Sequence, residues 1–369
     1  MRIVLTVNKA WNIYNFRRGV VRALLEDGHE LIVLAPHDET VPKLEELGCR
    51  FVDLPMDAKG LSPLRDLKLM REFRRQFRAL KPDAILSYTI KNNVYGGMAA
   101  ARERIPFIPN VTGLGTAFLS GGLLQRVAGG LLQKGLKHSP VVFFQNEDDR
   151  RLFEARGLVR AEQAQVLPGS GIDLTHFSPR PRARERSSGS IAFLFVGRLL
   201  RDKGFAEYAE AARLVRKHRP DTQFCVLGAI GAENRTAIPK ELIDGWIADG
   251  TINYLGLAED VRPHLAEADC VVLPSYREGS PRTLIEAASM GRPIITTNVT
   301  GCRDVVLPGQ SALLCEVRSA ESLANSMLQF IALSASAREE MGRAGRVHME
   351  THYDERIVVE AYRRALEDL

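Results

Sequence analysis

The sequence predicts an α/β chain of two doubly wound domains in tandem. Both halves alternate short apolar runs with segments of helical period, the signature of parallel strands joined by crossover helices. The 369 residues, 45% hydrophobic and 26% charged, suffice for two cores at roughly 100–200 residues per domain. A polar stretch at 178–190, carrying Pro179, Pro181 and Ser187-Ser188-Gly189-Ser190, separates the two series and reads as an exposed linker. The expected organisation is an N-terminal domain over 1–177, a second domain over 191–350, and a C-terminal helix over 351–369 that packs back on the first domain.

In chain order, the first apolar run is too short for a signal peptide and is expected as a buried strand over 2–7. The next strands of the first half are expected at 30–35, 50–54, 84–87, 106–109, 141–144 and 165–167. Those of the second half fall at 191–196, 223–227, 251–255, 270–273, 293–296 and 312–315. Ligands of such folds bind outside the carboxyl ends of the strands, so the cleft between two facing domains is the expected site. The five cysteines show no C-x-x-C and mostly apolar neighbours, and are expected reduced and structural. No run of 18 apolar residues exists, so no bilayer span is expected and the cytoplasm is the expected compartment. Residues 1–175 hold 25 Lys and Arg against 19 Asp and Glu, so the basic surplus belongs to the first half.

The most informative stretch is Arg277-Glu278-Gly279-Ser280-Pro281-Arg282-Thr283-Leu284-Ile285-Glu286-Ala287, directly after the run ending Leu273-Pro274-Ser275. Ser280 suits an N-cap, Pro281 the first helical position, and Gly291-Arg292-Pro293 closes the helix. Its first N–H groups would then face an anion at a strand's carboxyl end. Glu286 lies six residues past that cap, about 9 Å along the axis, the reach of a ribose beside a bound phosphate. Glu278 stands on the other side of the cap and faces a different group. Gly197-Arg198-Leu199-Leu200-Arg201-Asp202-Lys203-Gly204 adds a glycine turn and two cations at another strand end; Arg198 can fork onto phosphate oxygens and Lys203 can act as a point charge. A capped helix with incidental acids is the alternative for the first stretch, and a solvated turn for the second. No G-x-x-x-x-G-K-S/T and no G-x-G-x-x-G occurs, which excludes a P-loop nucleotidase and makes a dehydrogenase a poor fit.

These motifs together resemble the retaining family 4 glycosyltransferases of GT-B fold, built of two Rossmann-like domains: Glu278 and Glu286 in E-G-x-P-x-x-x-x-E, Gly197-Arg198-Leu199 with Lys203-Gly204, Leu273-Pro274-Ser275, and Gly291-Arg292-Pro293-Ile294-Ile295-Thr296-Thr297. The resemblance spans the second half strongly and the first more loosely. It implies that Arg198 and Lys203 hold the diphosphate of a sugar nucleotide, that Glu286 accepts from the ribose hydroxyls, and that Glu278 contacts the transferred sugar. Backbone N–H groups from Gly279 through Ser280, Pro281 and Arg282 to Thr283 would touch sugar and phosphate. The base, with uridine expected, would rest near Gly228 and the turn Leu255-Gly256-Leu257, and Gly197 would belong to the donor site.

In the first half, Asn8 to Arg18 stands where many members of this family carry a glycine-rich loop; Asn12 is either a donor to phosphate or acceptor, or a neighbour of packed Trp11 and Phe16. Many members carry K-P-D-x-x-H-x-H, but here Lys81-Pro82-Asp83 is followed by Leu86 and Tyr88 at the His positions, so that role is unassigned. The run Tyr88-Thr89-Ile90-Lys91-Asn92 with Val111-Thr112-Gly113-Leu114-Gly115 resembles the branch that extends polyprenyl-diphosphate-linked glycans, typically with an N-acetylated hexosamine. That implies Asn12, Tyr88, Lys91, Asn92, Thr112 and Gly113 on the acceptor side, and a peripheral place at the inner membrane face.

Two segments fit an anionic membrane surface. Over 64–80, Leu69, Met70, Phe73, Phe77 and Leu80 oppose Arg65, Lys68, Arg71, Arg75 and Arg78; over 119–137, Arg126, Lys134 and Lys137 flank a Leu/Val stripe. The alternative for each is a crossover helix with its apolar face on the sheet. Basic residues without interleaved aromatics argue against nucleic acid. No D-x-D occurs, so the cations of the chain itself are expected to stabilise the leaving phosphate, with no metal and no cofactor. A GT-B epimerase or hydrolase, or a non-catalytic basic protein on membranes, are the competing readings.

Overall fold

The computed structural model describes all residues except 58–61, 114–121, 182–189, 232, 233 and 235. The chain forms two compact units, Met1–Gly171 with Glu355–Leu369, and Ile172–Asp354.

The first unit is built on seven parallel strands: β1 (Arg2–Thr6), β2 (Glu30–Ala35), β3 (Arg50–Asp53), β4 (Ala84–Tyr88), β5 (Phe107–Val111), β6 (Val142–Phe144) and β7 (Ala164–Val166), in the order β3-β2-β1-β4-β5-β6-β7. Val4 pairs with Ile32 on one side and Ile85 on the other. The order reverses between β1 and β4, which marks the switch point where ligands of doubly wound sheets bind. Its helices include α1 (Ala10–Phe16), α2 (Arg18–Glu26), α3 (Val41–Glu46), α4 (Pro63–Leu80), α5 (Gly97–Glu103), α6 (Gly122–Leu136) and α7 (Glu147–Ala155).

The amphipathic segment at 64–80 is the crossover helix α4. Leu69, Phe73, Phe77 and Leu80 are buried against Val4, Ile32 and Ile85 of the sheet, so the face that would enter a bilayer is spent in the core. On its outer side Arg74 and Arg78 pair with Glu103, and Arg75 with Glu72. The glycines of α6 have a packing reason: a Cβ on Gly135 would lie 2.7 Å from the Asn93 carbonyl oxygen, and one on Gly97 would overlap the Gly135 carbonyl. Close helix approach there offsets the helix cost of glycine. Leu132 and Leu136 are buried, while Arg126, Val127, Lys134 and Lys137 are exposed; residues 119–121 of the segment lie outside the described residues.

The second unit carries β8 (Ala192–Val196), β9 (Gln223–Leu227), β10 (Asn253–Tyr254), β11 (Cys270–Leu273), β12 (Ile294–Thr297) and β13 (Ala312–Cys315), all parallel in the order β10-β9-β8-β11-β12-β13. Val271 pairs with Leu194 and with Ile294. Its switch point falls between β8 and β11. The helices are α8 (Phe205–Arg216), α9 (Lys240–Ala248), α10 (Arg262–Glu267), α11 (Arg282–Ser289), α12 (Ala320–Ala332) and α13 (Ala335–His352). Strand β10 is shorter than the run expected at 251–255, because the Thr251 amide donates to the Asp249 carboxylate in a turn and the Ile252 amide to Trp246.

The second unit starts before the polar stretch. Ile172 and Phe177 join its core, and Arg346 of α13 donates to the carbonyls of Leu174 and Phe177. The last helix, α14 (Glu355–Glu367), belongs to the first unit, where Val358, Val359, Tyr362 and Leu366 join the core around Ile3 and Leu5. Arg363 forks onto Asp27 at 2.7 and 2.8 Å. All five thiols are free, and burial pushes Cys49 up to about 11 and Cys302 to about 12. Among the described residues no helix is long and apolar enough to cross a membrane.

Candidate functional site

The carboxyl ends of β8 and β11 bring Lys203 and Glu278 together. After β8 the chain turns through Gly197, whose amide donates to the Leu227 carbonyl at 3.0 Å. It then makes one 3-10 turn over Arg201–Lys203 and enters α8 through Gly204. Gly204 has φ +69°, and a Cβ there would overlap the Pro274 carbonyl oxygen, so the β8 and β11 loops touch where only glycine fits. The Tyr276 amide donates to the Asp202 carbonyl at 2.9 Å and ties the same loops a second time.

Lys203 Nζ forms an ion pair with Glu278 Oε1, which also accepts from Ser275 Oγ at 2.6 Å. The Glu278 amide donates to the Thr300 carbonyl at 3.2 Å, fixing its backbone to the loop after β12. Both side chains are largely shielded, with 23% and 12% of their surface exposed, which strengthens the pair relative to one in open water. Arg198 is exposed on the same turn.

Helix α11 begins one residue later than expected. Pro281 is the N-cap, and Ser280 does not cap: its Oγ is buried and makes no hydrogen bond among the described residues. Pro281 itself is extended, with φ −71° and ψ 106°, so the helix starts at Arg282. Thr283 Oγ1 donates to the Val196 carbonyl at 3.2 Å, docking this first turn on the end of β8. Glu286 accepts from Arg282 Nε at 2.9 Å, and the Arg282 guanidinium lies 5.6 Å from the Phe177 ring centre.

Burial raises the Glu286 carboxyl above its ordinary value, and the Arg282 charge offsets this only in part. The acid therefore protonates at a higher pH than a free glutamate. A protonated carboxyl loses acceptor capacity, so if Glu286 accepts from a nucleotide ribose, as the resemblance implies, that binding weakens as pH falls through the raised value. Glu286→Gln should remove this acidic limb; calorimetric titration of UDP from pH 5 to 8 checks it, and an unchanged limb in the variant would refute the role. The same shift makes ionised Glu286 a cost to folding, present above its raised pKa and relieved as pH falls toward the unfolded value.

Gly228 and Gly256 continue the site toward β9 and β10. The Gly228 amide donates to the Gly256 carbonyl at 2.9 Å, the Leu255 amide to Val226 at 2.8 Å, and Tyr254 Oη to the Gly228 carbonyl at 2.8 Å. A Cβ on Gly228 would overlap the Gly197 carbonyl, so three strand-end loops are stacked in one row. Sequence reasoning missed Tyr276, although it adjoins Arg277. Its hydroxyl donates to Glu207 at 2.6 Å, Arg318 covers its ring at 4.7 Å, and burial with the Glu207 carboxylate pushes the phenol up to about 12. Glu207 lies on α8, far away in sequence, and no local signal pairs the two.

In the first unit, several residues expected on the acceptor side are tied up internally. Lys91 pairs with Asp66 at 2.9 Å, and Tyr95 donates to the other Asp66 oxygen at 2.8 Å. Asn92 is fully buried, donating to Thr6 and accepting from Thr89, both at 2.8 Å. These contacts hold the side chains of Lys91 and Asn92 on the β4 loop. Asn12 donates to Asn8 Oδ1 at 2.9 Å, and Trp11 stacks edge-on against Phe16. Thr112 and Gly113 are half-buried just beyond β5; Leu114 and Gly115 lie outside the described residues. Tyr88 is buried at the end of β4. Thr89, a β-branched residue, holds φ +72°, a strained state that folds retain mainly where surroundings enforce it.

Family matches over both units make this two-unit chain a sugar-transfer enzyme. Residues 15–170 match the family described as glycosyl transferase 4-like domain, and residues 190–332 the family described as glycosyl transferases group 1. The chain belongs to these glycosyltransferases and has their GT-B fold. It is 26% identical to the N,N'-diacetylbacillosaminyl-diphospho-undecaprenol alpha-1,3-N-acetylgalactosaminyltransferase of Campylobacter jejuni, over 98% of this chain and 97% of that one. It is 25% identical to the Escherichia coli UDP-Gal:alpha-D-GlcNAc-diphosphoundecaprenol alpha-1,3-galactosyltransferase, over 75% and 73%. Among solved structures it resembles HepE of Anabaena in complex with UDP-glucose, with TM-score 0.80, 18% identity and full coverage of both chains.

Proposed function

We propose that the protein transfers a sugar, an N-acetylhexosamine, from a UDP-sugar to a hydroxyl of a polyprenyl-diphosphate-linked glycan, with retention and without a metal. The observation that carries the reading is the Lys203–Glu278 pair at the β8/β11 switch point, beside the start of α11. The named activities of the Campylobacter and Escherichia coli relatives support the acceptor class.

In this reading Lys203 and Arg198 on the Gly197 turn meet the diphosphate, as do the amides from Gly279 to Thr283, where Pro281 contributes only its ring. Glu286 takes the ribose, and Gly228, Leu255 and Gly256 line the base. Glu278 orients the transferred sugar. The bond from the anomeric carbon to the β-phosphate oxygen breaks, its electron pair staying on the phosphate, where the cations and amide dipoles stabilise it. The acceptor hydroxyl bonds to the same face of the carbon, and its proton passes to the departing phosphate. No side-chain base is then required. The chain would work peripherally at the inner membrane face, with exposed Arg126, Lys134 and Lys137 toward anionic headgroups.

A thermal-shift panel of nucleotides and sugar nucleotides tests the donor. A UDP-sugar at 100 times its Kd should stabilise the protein by about 2.7 kcal/mol, with EDTA making no difference. No shift with any UDP compound, or a shift abolished by EDTA, would contradict the reading.

A further inference from the structure

The first sheet carries a second unusual charge at its own switch point. Arg17, the residue before α2, is 5% exposed, yet it makes no ion pair among the described residues. Among the described residues its side chain makes one hydrogen bond, a long one from Nη1 to the Gly169 carbonyl at 3.5 Å. Its guanidinium lies 4.7 Å from the ring centre of Tyr88, the last residue of β4. Tyr88 is 2% exposed, and its hydroxyl has no hydrogen-bond partner among the described residues. A guanidinium offers five donors and stays charged in a protein, and a buried charge without a counter-ion is unfavourable. A buried guanidinium without a counter-ion and a buried hydroxyl at one strand end are the complement of an anion.

We propose that Arg17 and Tyr88 form an anion site in the first unit that takes the diphosphate of the lipid-linked acceptor. The proposal rests on the acceptor class given under the proposed function. Arg17 supplies the planar fork that suits phosphate oxygens, and Tyr88 adds one directed O–H. Burial beside Tyr362 pushes the Tyr88 phenol well above its usual value, so it stays protonated and donates. The first turn of α2 is not part of the site: a Cβ on Gly19 would overlap the Glu355 carboxylate, so an acid of α14 already lies there.

Tyr88→Phe gives the cleanest test, because it removes only the hydroxyl and keeps the ring against Arg17. Geranyl diphosphate is titrated calorimetrically into the full chain saturated with UDP, for the wild type, Tyr88→Phe and Arg17→Met. The expected result is binding by the wild type, weakened about tenfold in Tyr88→Phe and more in Arg17→Met, with UDP affinity unchanged and Tyr88→Phe melting as the wild type. Equal binding by the wild type and folded Tyr88→Phe would overturn the site. Inorganic pyrophosphate binding as tightly as geranyl diphosphate would overturn the assignment to a lipid-linked acceptor. Absence of UDP binding would count against the donor reading alone, since the geranyl diphosphate titration still reads Arg17 and Tyr88.

Discussion

Glu278→Gln and Lys203→Met are each expected to lower transfer by about 10²–10³-fold while leaving the protein folded. Lys203 and Glu278 come from loops 75 residues apart and meet only because Gly204 and Tyr276 tie the two strand ends. In Glu278→Gln the side-chain oxygen can still accept from Ser275, so the loop keeps its hydrogen bond and only the charge is lost. In Lys203→Met the stem survives and the ammonium does not, leaving the developing phosphate charge with one fewer cation. The effect should fall on kcat more than on KM, because the ammonium matters most as charge builds on the leaving group. Steady-state kinetics with donor varied at saturating acceptor read this directly. Near wild-type kcat in both variants would remove the pair from the chemistry.

The second large effect is structural. Gly204→Ala should cost about 2–4 kcal/mol of stability and abolish most activity. Two strains add at this position: φ is +69°, and the new Cβ would overlap the Pro274 carbonyl. Gly28 is the internal control, with φ +81° but nothing within 4 Å of an added Cβ; there alanine should cost about 1 kcal/mol from the backbone conformation alone. Urea unfolding of the two variants separates conformation from overlap. If Gly204→Ala were no more destabilising than Gly28→Ala, the contact between the β8 and β11 loops would not have the importance given to it here.

Among the described residues the central strands were legible from their short apolar runs, since buried parallel strands are apolar on both faces, whereas β3, β7 and β10 are partly exposed. The motif around Glu278 and Glu286 pointed to a strand end and a helix start, and both are there. Its fine structure was less legible. Ser280 has the properties of an N-cap, yet Pro281 is extended and takes the cap position. On α4 the basic and apolar faces fit a membrane as well as a sheet, and only the packing of Phe73 and Phe77 decides for the sheet.

Long-range pairings had no local signature at all. The resemblance implied Lys91 and Asn92 on the acceptor side, and nothing local shows that Asp66 and Thr6, distant in sequence, bind them. Arg17 with Tyr88 and Tyr276 with Glu207 were invisible for the same reason. Pattern reveals which face of an element is buried; it does not reveal which polar partner meets it there.

The central claim, that the second unit activates a UDP-sugar for metal-independent transfer with retention, is tested most directly by the anomeric configuration of the product. The best-binding α-linked UDP-N-acetylhexosamine is incubated in EDTA with a polyprenyl-diphosphate-linked sugar, and the isolated product is examined by proton NMR. An α-linked disaccharide, shown by the small coupling constant of the new anomeric proton, is the expected result; a β-linked product, or transfer that requires added metal, would contradict it.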